Sequence, residues 1–347
     1  MSVSSFSKCV LLACLIVGPA PRADMLPPKD SGAAFGSNHE IGFSDGVLYL
    51  HTGDSLYVVD AGDPSGPSFN LHMSGLRSAF SGTARVLEGS FSTASGGQAM
   101  INAGFSDGGV LAVDLMTRTS RSVTDFDDDN IFRTAGRNDR TFYAMWADTV
   151  FPPSTSTLVY RIDPADLTTQ PVVDPALGTG DASGGMVFDR DDNLIIGTFD
   201  FVRDRARFFR IEATDLSQFE SGGVVPPVAE LGSARANGNR NLVVDREGRI
   251  FFNTTTGIGL FDPSTSDSKN FYRDVRDPDL FNYDGFKLPL NGLAYAAGQH
   301  QLVFTEFDTE LDGYELIFLD VPEPLTAALL VLGTLAFASQ RHVAGGP

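Results

Sequence analysis

The chain has 347 residues, a formal charge of −19, 27 Phe against one Trp, and 36 Gly with 19 Pro. Negative charge on that scale excludes a phosphate-binding surface, since nucleic-acid affinity needs Lys and Arg to displace counterions, and no nucleic-acid partner is expected. Both cysteines, Cys9 and Cys14, lie in the first apolar segment, which excludes a disulfide, a zinc–thiolate site and a cysteine nucleophile from everything downstream.

The first element, residues 1–23, places Lys8 before the apolar run Cys9–Ala20 and small residues up to Ala23. A basic start, an apolar core and a small residue at the exit predict a secretory signal peptide cleaved after Ala23, and hence an exported protein. From there to residue 320, Gly, Pro or β-branched residues interrupt nearly every stretch of ten. Helix is therefore not expected, and many short strands joined by turns are.

A short apolar pattern ending in an acid recurs through this body: YVVD to Asp60, LAVD to Asp114, YRID to Asp163, FRIE to Glu212, GLFD to Asp262 and IFLD to Asp320. The steps are 54, 49, 49, 50 and 58 residues. A second apolar element precedes each acid, beginning at Val47, Ala99, Thr141, Leu194, Ile250 and Gln301. Tight polar turns introduce several of them, as in SDG at 44–46, DRDDN at 189–193 and DREGR at 245–249, and a further strand lies before those turns. A polar link after each acid leads to a fourth, weaker strand such as PVVDPAL at 171–177. Four strands per unit of about fifty residues is the economy of a β-propeller blade.

Six units predict an all-β, six-bladed β-propeller over residues 24–320. Its strands are apolar on both faces because each blade is sandwiched between neighbours. The last unit ends after Asp320 without an outer strand, so residues 25–36 are expected to supply it and close the ring. A pair of β-sandwiches would require a break in composition near the middle, and there is none.

Loops leading into the first strand of each blade gather at one mouth of a propeller's channel. Here they carry His39, Glu40, Asn130, Arg133, Asp181, Arg240, Asn241 and Asn291, the candidate ligand-binding set. The clusters DFDDDN at 125–130 and DRDDN at 189–193 lack the Gly and distal Glu of a twelve-residue calcium loop and read as solvated turns. His51, His72 and His300 are dispersed, and no Gly-x-Ser-x-Gly elbow occurs.

The final blade's sequence, LNGLAYAAGQHQLVFTEFD, resembles the NGLA blade of gluconolactonase-type six-bladed propellers, and NHEIGFSDGVLYL resembles their opening blade. The resemblance implies one divalent cation in the channel, Ca2+ or another, polarising a lactone or ester oxygen and activating water. By position only Glu40 and Asn291 carry over as its ligands.

The last 27 residues, 321–347, form the third segment. Val321, Pro322, Glu323 and Pro324 precede an apolar run from Leu325 to Ser339 and then Arg341. The order of these parts resembles the PEP-CTERM sorting tail of exported bacterial proteins. The prolines stop a helix from extending upstream, the Ala/Leu run favours one, and Arg341 would hold its end at the cytoplasmic face. Fifteen residues rise about 22 Å, short of a hydrocarbon core of roughly 30 Å, which suits a transient transmembrane handle. The resemblance implies that an exosortase at the inner membrane recognises the tail and cleaves near the Pro-Glu-Pro.

With no catalytic signature in the body, the main expectation is a non-catalytic binding or scaffold protein at the cell surface or in the extracellular matrix. It would need no cofactor, and its channel mouth would meet a carbohydrate or protein ligand. The alternative is a divalent-metal-dependent lactonase or esterase with its site in the channel.

Overall fold

The computed structural model describes residues 39–61, 67–80, 91–102, 108–127, 131–147, 157–163, 165–173, 182–200, 202–222, 227–235, 241–254, 257–273, 290–308 and 313–322. The expected signal segment, the strand expected from residues 25–36, and the tail from Glu323 through Pro324 and Arg341 lie outside them. Among the described residues no helix is long and apolar enough to cross a membrane.

Six sheets follow one another in sequence, each an antiparallel meander. Blade 1 comprises β1 (Glu40–Ser44), β2 (Val47–His51), β3 (Ser55–Asp60) and β4 (Ser68–Ser74). Blade 2 follows with β5 (Phe91–Ala94), β6 (Gln98–Asn102), β7 (Gly108–Asp114) and β8 (Thr119–Asp127). Blade 3 holds β9 (Ile131–Gly136), β10 (Phe142–Ala147), β11 (Thr157–Ile162) and β12 (Thr169–Val173). Blade 4 holds β13 (Ala182–Phe188), β14 (Leu194–Asp200), β15 (Arg205–Ile211) and β16 (Ala229–Arg235). Blade 5 holds β17 (Leu242–Val244), β18 (Ile250–Thr254), β19 (Gly257–Asp262) and β20 (Asp267–Arg273). In blade 6 the described strands are β21 (Leu290–Ala296), β22 (Gln301–Asp308) and β23 (Gly313–Asp320).

The sequence beat has a local cause. Each of the six acids sits at or just after the end of a third strand, where a carboxylate can cap the turn that follows. Asp114 accepts the Met116 and Thr117 amides at 2.9 Å, Asp163 the Ala165 amide at 2.9 Å and Asp262 the Ser264 amide at 2.9 Å. These are side-chain turns that free the backbone to reverse direction. Turns between first and second strands use the same device. Asp189 accepts the amides of Asp191 and Asn193 at 2.9 Å, and Asp245 those of Glu247 and Arg249 at 3.0 and 2.9 Å. Asp189, the first carboxylate of DRDDN, thus builds its turn, while Asp192 accepts from Asn138 at 3.0 Å.

Apolar packing lies between blades. Six buried clusters bridge successive pairs of sheets: blades 1 and 2, 2 and 3, 3 and 4, 4 and 5, 5 and 6, and 6 and 1. The last is the closure, where Ile41, Leu48 and Leu50 meet Ala294, Val303, Tyr314 and Leu316. Hydrogen bonds stitch the same seam, since the His39 carbonyl accepts from the Gly292 amide at 3.1 Å and the Thr305 hydroxyl at 2.9 Å. An Asn-Gly before a strand ordinarily marks a turn; here both residues lie inside β21, and the missing side chain of Gly292 lets blade 1 approach.

One element departs from expectation. The helix α1 (Ala213–Glu220) is inserted between β15 and β16, in a stretch without Gly or Pro. Its Leu216 and Phe219 are buried in the cluster between blades 3 and 4. At its end Glu220 accepts from Arg137 at 2.9 Å and from the Tyr143 hydroxyl. Burial first, then the Glu220 bond, pushes the Tyr143 hydroxyl well above its ordinary value. Glu220→Ala removes an acceptor shared by two buried donors and is expected to lower stability by about 2 kcal/mol, read from the urea midpoint at constant slope.

Packing also extends past the last strand. Val321 is buried against blades 5 and 6, its amide donating to the His300 carbonyl at 3.0 Å, and Arg249 reaches the Pro322 carbonyl at 3.4 Å. The first two residues of the predicted tail are thus held by the ring.

Candidate functional site

The six inner strands β1, β5, β9, β13, β17 and β21 surround a central channel with a cavity of about 520 Å3. Glu40, Arg133 and Asn241 line it where these strands begin; Asn138, Asp189, Arg190, Asp245 and Arg246 line it where they end. At the far end the carboxylates are committed to turns, and burial holds Asp245 above its ordinary value against the adjacent Arg249 guanidinium.

At the near end three blades contribute one polar side chain each. Glu40 opens β1, Arg133 lies in β9, and Asn241 immediately precedes β17. Arg133 donates from Nη1 to Glu40 Oε1 at 3.4 Å, and Asn241 donates from Nδ2 to Glu40 Oε2 at 3.1 Å and Oε1 at 3.4 Å. All three are buried, with relative exposures of 5, 3 and 8 % for Glu40, Arg133 and Asn241. An ion pair this desolvated is costly to assemble. Because the same volume filled by hydrophobic side chains would serve stability as well, this cluster is the candidate site.

Second strands run back toward the same mouth, and their last residues add a belt of buried polar groups: His51, Asn102, Thr198, Asp200, Asn253 and Glu306. His51 is directly opposite Glu40 in the β1–β2 register. Its ring stacks on Phe91 with centroids 6.1 Å apart, and Nε2–H donates to the Gly53 carbonyl at 2.6 Å. Burial, aided by His39 and opposed by the Gly53 bond, pulls His51 down to about 4. At neutral pH the ring is therefore uncharged.

Of the eight residues expected at this mouth, the structure brings together Glu40, Arg133 and Asn241. His39 is corrected: it packs in the seam between blades 1 and 6, its ring 4.8 Å from Tyr314, and it does not line the cavity. His39 precedes β1, where its carbonyl is tied to Gly292 and Thr305 of blade 6 and its ring to Tyr314, which holds the side chain in the seam. Asn291 lies within β21, its side chain outside the description, and Asn130, Asp181 and Arg240 lie outside the described residues. His51 does not line the cavity either; its place beside Glu40 could have been found by counting back through the two-residue Asp45–Gly46 turn from Ser44 and Val47.

A divalent cation would require several oxygen ligands converging on one point. Among the described residues no group of three or more His, Cys, Asp or Glu is placed to hold one. The nearest polar neighbours of the Glu40 carboxylate are the N–H donors of Arg133 and Asn241. The described donor set does not fit a metal.

No family model matches the chain, and no curated protein matches it. Solved structures do. A gluconolactonase from Xanthomonas campestris superposes with a TM-score of 0.51 at 13% identity, covering 87% of this chain and 97% of that one. A calcium-binding protein, regucalcin, from Agrobacterium tumefaciens gives 0.52 at 12%, covering 88% and 96%. A third, provisionally described as a gluconolactonase, gives 0.53 at 11%, covering 87% and 98%. The class is thereby fixed: the chain is a six-bladed β-propeller, similar over its full ring to gluconolactonase-type propellers. The main expectation of a non-catalytic binding or scaffold protein is corrected at this point, because these neighbours are described as gluconolactonases and a calcium-binding protein.

Proposed function

We propose that the chain is a hydrolase of the lactonase or esterase type, acting on a small acyl ester in the channel. The observation that carries this is the convergence of Glu40, Arg133 and Asn241, from three blades, on a cavity of about 520 Å3, a size that suits a small-molecule ligand. Glu40 lines the cavity and is the one of the three that can accept a proton from water, while Arg133 and Asn241 fix the orientation of its carboxylate. The overall likeness to gluconolactonase-type propellers supports the substrate class, while Ca2+, suggested by the calcium-binding neighbour, is not supported by the described donors.

The test is proton release by the full chain over a panel of γ- and δ-lactones and aryl esters. At least one is expected to be hydrolysed, with the rate falling tenfold or more in Glu40→Gln while circular dichroism stays unchanged. A panel without a substrate would defeat the reading.

Export and sorting belong to the same proposal. The signal segment 1–23 and the PEP-CTERM-like tail support delivery across the inner membrane, processing by an exosortase, and release or attachment outside the cell, with the negative charge disfavouring nucleic acid. Intact-mass measurement of protein recovered from its native host is expected to give a chain that starts at Asp24 and ends near Glu323. An untrimmed cytosolic chain would contradict this.

A further inference from the structure

We propose that Arg133 is the catalytic cation of this channel, polarising the acyl oxygen in the place of a divalent metal, so that hydrolysis proceeds without one. The inference rests on the hydrolase reading and goes beyond it in naming the electrophile. Of the described carboxylates lining the cavity, Asp189 and Asp245 stand at the far end and cap turns, which leaves Glu40 at the mouth. Its oxygens face the Arg133 Nη1 at 3.4 Å and the Asn241 Nδ2 at 3.1 Å. A cation docking on Glu40 would meet N–H donors and a fixed positive charge; an acyl oxygen would meet the same groups as partners.

Arg133 is 3% exposed, so its charge acts through protein rather than water and is strong at short range. Its bond to Glu40 is long for a charge-assisted one. A substrate oxygen can therefore draw the guanidinium without a large loss. Arg133 and Asn241 together supply donors from two blades, the composition of an oxyanion hole.

The chemistry balances on these three residues. Water held by Glu40 attacks the carbonyl carbon, its proton passing to the Glu40 carboxylate as the C=O π pair moves onto oxygen beside Arg133 and Asn241. The carbonyl then re-forms, the acyl C–O bond breaks, and the departing alkoxide takes the proton back from Glu40. The products are one hydroxyl and one carboxylic acid, which ionises in solution; Glu40 ends as a carboxylate.

The test uses the full chain, treated with EDTA and then supplied separately with CaCl2, MnCl2 or ZnCl2, and the lactone and ester panel. The rate is expected to change less than twofold among these conditions. Arg133→Ala is expected to lose 100-fold or more in kcat and to regain part of it, saturably, on addition of millimolar guanidinium, which a purely structural arginine would not allow. Isothermal titration of CaCl2 is expected to give the same heat for the unsubstituted chain and for Glu40→Gln, a comparison that holds even if the arginine variant does not fold.

Hydrolysis that disappears with EDTA and returns with metal would overturn this proposal alone, as would a Ca2+ heat that vanishes in Glu40→Gln. No hydrolysis of any panel member, with or without metal, would overturn the hydrolase reading and this proposal with it.

Discussion

Gly292→Ala is expected to open the ring. A methyl group at this position would stand 2.6 Å from the His39 carbonyl oxygen and 2.8 Å from the Ile41 nitrogen. Both are backbone atoms of the neighbouring blade, so no rotamer change relieves the contact, and the strands must part. Parting them lengthens the Gly292 amide bond to His39 and loosens the packing of Ile41 on the last blade. Overpacking against backbone is expected to cost about 3 kcal/mol, at the upper end of its usual range because nothing soft can yield. In a chain of this size that is a fall in Tm on the order of 4–5 °C. Gly298→Ala is the matched control, since a methyl group there meets nothing within 4 Å. Thermal unfolding of the two variants, with binding of a hydrophobic dye as a second readout of the exposed seam, checks the claim; equal midpoints would refute it.

Closure matters to the site as well as to stability. Glu40 follows directly on His39, whose carbonyl is the acceptor for both Gly292 and Thr305. The same few residues that fasten blade 1 to blade 6 therefore set where the carboxylate points. A ring that opens by an ångström displaces Glu40 from Arg133 and Asn241 by a comparable amount, and catalytic geometry tolerates little of that.

Blade number and strand order were legible in the sequence because each blade repeats one physical solution: an apolar third strand stopped by a carboxylate that caps its turn. Asp114, Asp163 and Asp262 make that cap in the structure. The helix α1 was not legible, since its eight residues are too few for helical periodicity to stand out, and its place is set by Leu216, Phe219 and Glu220 docking on the neighbouring blade. At the site, the residue types at the mouth could be named but their meeting could not. Glu40 is 93 residues from Arg133 and 201 from Asn241, and only ring closure sets those approaches. His39 was misplaced for the same reason: its contacts with Tyr314, Gly292 and Thr305 of the last blade are made only when the ring closes.

The second large effect is a loss of stability in mild acid, centred on His51. Its folded value is about 4, against 6.5 for a free imidazole. The folded state keeps the ring neutral, because an imidazolium in this buried position would lose its hydration while its Nε2–H is already given to Gly53. Above about pH 6.5 both folded and unfolded chains carry a neutral ring and the stabilisation is complete. As pH falls from there, the unfolded chain binds a proton that the folded chain refuses, so stability drops, and the drop ends near pH 4, where the folded ring also protonates. Over that window the loss is on the order of 3 kcal/mol.

His51→Gln keeps an N–H to offer Gly53 and removes the titration. It is expected to flatten this part of the profile at the cost of the Phe91 stack, about 1 kcal/mol at neutral pH. Asp245, raised by burial, adds stability as pH falls and so opposes the effect, equally in both chains. Asp139, where burial is outweighed by bonds from Arg137 and Thr141, is held at about 2, so its contribution is present above pH 4 and is lost only below the His51 window. Urea midpoints measured between pH 7.5 and 4.5 on the unsubstituted chain and His51→Gln separate the two. Parallel profiles would refute the assignment, whereas convergence toward acid pH would place the proton on this ring.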